Sequence, residues 1–532
     1  MDLEVGGNQF NNLKNWLEMV KQLQTCVDWP ADEGKIEMIQ THISVVLLGK
    51  HHVIKLKKPV DYGFLDYTTI EKRLSACEAE VSLNRRLCDD TYVGVQPVTE
   101  IDGKPRLSGM GHILDYGVRM KRLPAAGMLD QMIRDNTVTE GVIGRIADKL
   151  ARFHETARRG ADVDTYGSLE VVQQNWEENF TQTAPFIGRT ISKDDFDALE
   201  LWVRDWIERN RKLLESRVAG KRICDGHGDL RSESICVRNG ICFFDCIEFN
   251  ERFRCSDVAS EAAFLAMDLD ARGRPDLGYY FFERYEARTK DTDLIELFPF
   301  YRCYRAYVRG KVLSFRLDGP GFSEVDKQSA QLRAQNFFEL SRRYADRLQR
   351  PAVIIVTGLS GTGKTTVARS VAGELGLRVI SADAVRRKIF GRTKGFAYGD
   401  GAYTAEANAK TYSQMFDQAR AALQKEGGVV LDATFRRAAD RSKARELAAS
   451  LGVNWRIIEC RLAEGLVRVR LEQRAMRDNG ISAATWDTFL KQRDEFEPIN
   501  ELPDSHLVLD TGGTLSNIAR QATDWLRKVS AS

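Results

Sequence analysis

The sequence predicts two folds in one chain, an α+β domain over residues 1–349 followed by an α/β domain over residues 350–532 that is built on a parallel sheet. Three observations predict this. A length of 532 residues is more than one compact core fills. Downstream of Pro351 short apolar runs, "AVIIV", "RVIS", "GVVLD", "WRIIEC" and "HLVLD", alternate with helical stretches. Strands that are apolar throughout and separated by helices describe a parallel sheet covered on both faces. Upstream the pattern is mixed and then mostly helical from Arg254 to about Arg350. The boundary is placed near Gln349, where the charged ending "LSRRYADRLQRPAV" runs into a proline, because proline disfavours helix in the residue before it.

Within the first domain, apolar and basic residues alternate in "HHVIKLKKPV" (His51 to Val60), which reads as a strand with one wet face. "TVTEGVIGRIADKLARFHETAR" opens on a Thr137-x-x-Glu140 capping box and repeats apolar residues at Val142, Ile146, Leu150 and Phe153, the signature of an amphipathic helix. A net charge of +2 gives no support to a protein that coats duplex nucleic acid. The 10 cysteines are scattered without paired CxxC halves, so they read as reduced thiols. "MDLEVGGNQF" has no basic and apolar leader, and no run approaches a membrane span, so the expected location is cytoplasmic, with no membrane partner.

The second domain opens on "VIIVTGLSGTGKTT". Gly358, Gly363, Lys364 and Thr365 fit GxxxxGK[ST], between a buried strand and the helical "TVARSVAGEL". Glycines let the backbone amides of the loop, through Ser360, Gly361, Thr362 and Gly363, turn around phosphates. Lys364 reaches the β and γ groups, Thr365 supports Mg²⁺, and Thr366 continues the loop into the helix. The next strand ends in "ISADAVRRKIFG", which places Asp383 in the crevice at the carboxyl ends of the strands, with Arg386 one helical turn on. There Asp383 can deprotonate an acceptor hydroxyl and Arg386 can hold an anion of the acceptor. The plainer role for Asp383 is to cap the following helix. Asp432, ending "GVVLD", can hold Mg²⁺ through water. In "CRLAEGLVRVRLEQRAMRDNG" the spacing of Arg470, Arg474 and Arg477 puts them on one helical side, where one or two of them act as a lid over the transferred phosphoryl group. Arg468 fits a solvated basic face.

These motifs together resemble the small P-loop kinases that include gluconate kinases, chloramphenicol phosphotransferase, zeta-type toxins and polynucleotide kinase domains. The resemblance covers about residues 351 to 530. It implies that Lys364 and Thr365 serve ATP and Mg²⁺, that Asp383 is the general base and Arg386 an acceptor contact, and that "LDTGG" (Leu509 to Gly513) borders the adenine.

A second device lies upstream in "GHGDLRSESICV" and "GICFFDCIEF". His227-x-Asp229 sits in a loop, and Asp245 follows the short strand "ICFF". Two acids on such adjacent turns suit a catalytic base, Asp229, and a Mg²⁺ ligand, Asp245, with Glu248 as a further candidate. These residues resemble the aminoglycoside phosphotransferase family, whose fold is that of protein kinases. By that resemblance Lys55, or Lys57 on the same strand face, grips the α and β phosphates. Glu80 pairs with it, and Asp257 supports the catalytic loop. Nearly the whole chain is similar to bacterial fusions of such a domain with a P-loop ATP-binding domain. One residue departs from the family loop HxDxxxxN: Ser234 stands where the asparagine binds the second Mg²⁺.

The expectation is therefore an ATP- and Mg²⁺-dependent bifunctional kinase acting on the hydroxyl of a small polar or sugar-like molecule. Two alternatives remain. One is a polynucleotide 5′-hydroxyl kinase, for which Arg386, Arg387, Lys388, Arg392 and Lys394 form a local basic patch with few aromatic residues nearby. The other is a P-loop kinase regulated by an upstream ligand-binding domain. The sequence sets no oligomeric state.

Overall fold

The computed structural model describes residues 7–63, 65–107, 109–319, 322–346, 348, 350–391, 401–426, 428–500 except 478–484, and 503–531. By contact the chain forms two units, Met1–Val172 with Arg211–Ala262, and Gln173–Asn210 with Ala263–Ser532. The expected boundary residue, Gln349, lies outside the described residues, and the helices between Ala263 and Ala345 group with the parallel sheet.

The first unit holds a six-stranded antiparallel sheet of β1 (Glu37–Gln40), β2 (Ser44–Leu48), β3 (His52–Lys57), β4 (Tyr92–Ile101), β5 (Lys104–Arg106) and β6 (His112–Lys121), in the order β1-β2-β3-β6-β4-β5. Side chains alternate across a strand, so β3 divides its residues between two layers. Ile54 and Leu56 pack with Val45 and Leu47 against Trp16, Val20 and Leu23 of the helix Gly7–Leu23. Lys55 and Lys57 reach instead to Glu80 of the helix Ile70–Arg85. The amphipathic helix expected near Thr137 is present as Glu140–Thr156, with Val142, Ile146, Leu150 and Phe153 buried. Its cap is a correction: Thr139, not Thr137, accepts from the Val142 N–H, while the Thr137 hydroxyl turns to the Met132 carbonyl. Two small antiparallel pairs follow, β7 (Ile223–Asp225) with β10 (Cys255–Asp257) and β8 (Ile235–Val237) with β9 (Ile241–Phe243). The expectation of reduced cysteines is also corrected, since Cys88 and Cys242 form a disulfide. Eight cysteines are free and seven of them buried, as that expectation had it for the rest.

The second unit holds a five-stranded, wholly parallel sheet of β11 (Ala352–Thr357), β12 (Arg378–Ser381), β13 (Gly428–Asp432), β14 (Asn454–Arg461) and β15 (His506–Asp510), in the order β12-β13-β11-β14-β15. Every residue of β11 and β13 is buried, which is why both read as unbroken apolar runs. Phe435, Tyr412, Met415 and Ala444 continue that core under the flanking helices. The helices Leu169–Thr183, Lys193–Arg209, Leu294–Ser314 and Glu324–Ala345 share an aromatic core in which Trp206 stacks on Phe300 at 3.8 Å. The helix Pro275–Thr289 meets the edge strand β12. There the Tyr279 hydroxyl donates to the Leu377 carbonyl at 3.2 Å and accepts the Val379 N–H at 2.8 Å. Arg378 pairs with Glu286 through both arms, at 2.9 and 3.1 Å. Among the described residues no helix is long and apolar enough to cross a membrane.

Candidate active site

In the second unit β11 ends at Thr357, and the chain turns through Gly358, Gly361 and Gly363 with φ of 140°, 84° and 90°. Side-chain-bearing residues avoid these conformations. At Gly358 space is a further constraint, since a Cβ would lie 2.4 Å from the Cys460 carbonyl oxygen. A bare loop that feeds directly into the N-terminus of the helix Lys364–Leu375 is what anion binding by backbone amides requires. The loop is braced from both sides. Thr511 Oγ1 donates to the Thr362 carbonyl at 2.6 Å, and Gln492 Oε1 accepts the Ser360 N–H at 2.9 Å.

Lys364 Nζ donates across the loop to the Leu359 carbonyl at 2.8 Å. Next to it Thr365 Oγ1 donates to Asp432 Oδ2 at 2.8 Å, which joins the end of β13 to the phosphate-loop helix. Asp432 is 4% exposed. Burial pushes its pKa up, against the opposing pull of the Lys364 ammonium and the Thr365 hydroxyl. Burial likewise pushes Lys364 down, against Asp432 and Asp383, whose charges act on it. The charge of Asp383 thus acts on both.

Asp383 does not cap its helix. The N-cap of Ala382–Phe390 is Ser381, and no side chain bonds there. The Asp383 side chain is 70% exposed and touches Arg386 through one oxygen only, Oδ1 at 2.8 Å. Arg386 is 7% exposed. Its Nη2 donates to Asn408 Oδ1 at 2.9 Å, its guanidinium lies 4.7 Å over the Tyr403 ring, and its Nε is buried without a partner. It is thus turned inward and does not join the exposed Arg387 and Lys388; Arg392 and Lys394 lie outside the described residues. Of the lid arginines, Arg470 donates to the Thr511 carbonyl at 2.8 Å and lies 3.4 Å from where a Cβ on Gly363 would stand. The charge of Arg474 acts on Lys364. The Arg477 side chain lies outside the described residues, and Arg468 pairs on the surface with Glu472. Asn408, Tyr403, Gln492 and the anchoring role of Thr511 had no local signal in the sequence.

In the first unit both candidate lysines bond Glu80. Lys55 Nζ donates to Glu80 at 2.9 Å and to Asp245 at 2.6 Å, while Lys57, fully buried, bonds Glu80 at 2.7 Å and also Glu248. Tyr67 holds Glu248 at 2.7 Å. Burial pushes Lys55 down, but Asp245, Glu80 and Glu248 overcome it and leave the ammonium well above the usual lysine range. Lys55 in turn holds Asp245 down at about 2, against burial. Lys55, Glu80 and Asp245 are therefore brought together as expected, and Glu248 is bound into the base of the cluster. Asp245 has φ of 64°, a left-handed conformation, and its N–H donates to the Tyr92 hydroxyl at 3.1 Å.

The loop bearing Asp229 is held by a residue the sequence did not indicate. Glu261 Oε1 accepts the N–H groups of His227 and Gly228 at 2.6 and 3.2 Å, while its other oxygen meets His154 Nε2 at 2.8 Å. Asp257, expected in that role, instead bonds Arg217 and the Ala259 N–H. His227 Nε2 faces the Phe244 carbonyl at 2.8 Å and so carries the proton, leaving Nδ1 to accept the Asp229 N–H at 3.3 Å. Asp229 itself is clasped by Arg231, Nε to Oδ1 at 3.1 Å and Nη2 to Oδ2 at 2.8 Å. Ser234 is engaged within the same loop: its Oγ accepts the Arg231 N–H at 3.0 Å and lies within donating distance of the Arg231 and Asp229 carbonyls, at 2.9 and 3.2 Å.

Residues 353–499 match the model of the AAA domain family. Over 469 residues the chain is 34% identical to an uncharacterized protein of Mycobacterium tuberculosis, which covers 87% of this chain and 90% of that one. The chain belongs to the family of that mycobacterial protein. A Mycobacterium bovis member matches to the same extent. Among solved structures it is similar to a choline/ethanolamine kinase family protein from Mesorhizobium loti, with 10% identity and a TM-score of 0.36, over 62% of this chain and 98% of that one. It is also similar to a gluconokinase from Sinorhizobium meliloti, with 19% identity and a TM-score of 0.26, over 35% of this chain and 95% of that one. The chain thus carries an antiparallel sheet with a lysine–glutamate pair upstream and, downstream, a P-loop domain within the stretch matched by the AAA domain model.

Proposed function

We propose that the chain is an ATP-dependent phosphotransferase whose chemistry takes place at the phosphate loop, with the hydroxyl of a small polar or sugar-like molecule as acceptor. The observation that carries this reading is Asp383: an exposed carboxylate just past the end of β12, whose charge acts on Lys364 and Asp432 and which a buried arginine holds at one oxygen. Such a group can take a proton, while Arg386 behind it fixes its orientation.

The loop amides and Lys364 hold the β and γ phosphates of ATP. The acceptor oxygen forms its bond to the γ phosphorus as the bond from that phosphorus to the β–γ bridging oxygen breaks. The acceptor proton passes to Asp383 and ADP departs. Arg470 and Arg474 neutralise charge on the group in transit. The Thr365 hydroxyl and the Asp432 carboxylate form a hard oxygen donor pair that suits Mg²⁺, which when bound would supply further charge neutralisation. Upstream, Lys55, Glu80 and Asp245 support a second nucleotide site. A polynucleotide 5′ end is the less favoured acceptor, because Arg386 faces inward instead of joining a surface patch.

Lys364→Ala and Asp383→Ala, assayed by phosphate transfer from γ-labelled ATP to a panel of small polyols, test the reading. Each should abolish transfer; full activity in both would dispose of the assignment.

A further inference from the structure

The two carboxylates placed to act as bases are held differently. At Asp229 both oxygens accept from one guanidinium, Arg231 Nε and Nη2, and that arginine is only 14% exposed and further tied to Glu233 at 2.7 Å. A bidentate guanidinium stabilises the ionised carboxylate, and a base so held gains little by accepting a proton. The residue at the position of the metal-binding asparagine is turned into the loop as well. Ser234 uses its hydroxyl as donor and acceptor inside the loop, between the Arg231 N–H and the Arg231 carbonyl. The residues read as the nucleotide grip are, by contrast, joined: Lys55 spans Glu80 and Asp245, and Lys57 holds Glu80 from below while itself bonded to Glu248.

We infer that the upstream pocket is a nucleotide-binding site that transfers no phosphate, silenced by the Arg231 clasp on Asp229 together with a Ser234 turned into its own loop. This rests on the reading of Lys55, Glu80 and Asp245 as a nucleotide site. The clasp separates binding from turnover: the pocket responds to Mg–ATP as a ligand while the downstream site consumes it as a substrate. Its occupancy follows nucleotide concentration without depleting it.

The test uses the full chain carrying Lys364→Ala, which removes downstream turnover. Binding is followed with a fluorescent ribose-modified ATP and Mg²⁺, and turnover by phosphate release from γ-labelled ATP. One equivalent should bind, adding Lys55→Ala should weaken binding at least about 10-fold, and adding Asp229→Asn should leave the residual turnover unchanged. Adding Arg231→Ala with Ser234→Asn should raise turnover at least about 10-fold, and Asp229→Asn should remove that gain. Failure of the probe to bind overturns the reading of the pocket as a nucleotide site. Turnover that depends on Asp229 while Arg231 is in place, or no gain when Arg231 and Ser234 are replaced, overturns the claim of silence.

Discussion

Asp383 and Asp229 are both aspartates paired with an arginine close in sequence, and the two pairs differ in one respect that decides their chemistry. Arg386 meets a single oxygen of Asp383 and is drawn away by Asn408 and Tyr403. Arg231 meets both oxygens of Asp229. The first arrangement leaves an open carboxylate edge beside the phosphate loop; the second fills the edge. Residue types at a site do not by themselves establish a base: what counts is how many of its lone pairs the protein has already engaged.

The strongest way to break the comparison is to remove the cation on each side. Lys364→Ala should lower phosphate release from ATP by about 10²–10³-fold, the size of effect that follows loss of one preorganised donor to the charge developing in a transition state. Lys55→Ala should leave the rate within about twofold. A large loss in Lys55→Ala, measured by initial rates at saturating ATP, would erase the distinction between the sites.

Support of each loop gives the next effects. Glu261→Gln replaces a buried carboxylate that accepts two backbone N–H groups and faces His154. It should cost about 1–3 kcal/mol in urea unfolding and lower nucleotide binding at the upstream site while leaving downstream turnover in place. Tyr279→Phe strips the partner from the Val379 N–H and the Leu377 carbonyl beside the edge strand that leads to Asp383. A similar cost of about 1–3 kcal/mol is expected, here accompanied by slower transfer with the ATP affinity retained. Equal losses at both sites in either variant would show that the two loops are not separately supported.

The smallest effect concerns pH. Asp245 is held at about 2 by Lys55, below the ordinary 3.8, so the pairing favours the folded state above pH 3.8 and is lost as pH falls toward about 2. With a side chain 58% exposed it contributes under about 1 kcal/mol. Asparagine tolerates the left-handed backbone at this position. The stability gap between the natural protein and Asp245→Asn, measured by urea unfolding at pH 6 and pH 3, should therefore narrow at the lower pH. A gap that widens would contradict the Lys55 pairing.

What the sequence made legible was local. The phosphate loop, its strand and its helix occupy consecutive residues, so spacing alone gave Lys364 and Thr365, and strand ends gave Asp383 and Asp432. Lys55 and Glu80 followed from a family pattern of the same short-range kind. The rest depends on contacts between distant segments. Thr511 braces the loop at Thr362, Asn408 draws Arg386 aside, Glu261 takes the role expected of Asp257, and Cys88 meets Cys242. None of these has a periodicity or spacing to betray it. The Arg231 clasp lay within a quoted motif, yet it is visible only once the side chains have directions.

The most direct test compares Asp383→Asn with Asp229→Asn in the full chain. Phosphate release from γ-labelled ATP is measured with water in place of the acceptor. Asp383→Asn should reduce the rate by about 10²-fold or more, the contribution of a general base, while Asp229→Asn should leave it unchanged. A fall in Asp229→Asn with Asp383→Asn fully active would place the chemistry in the other half of the chain.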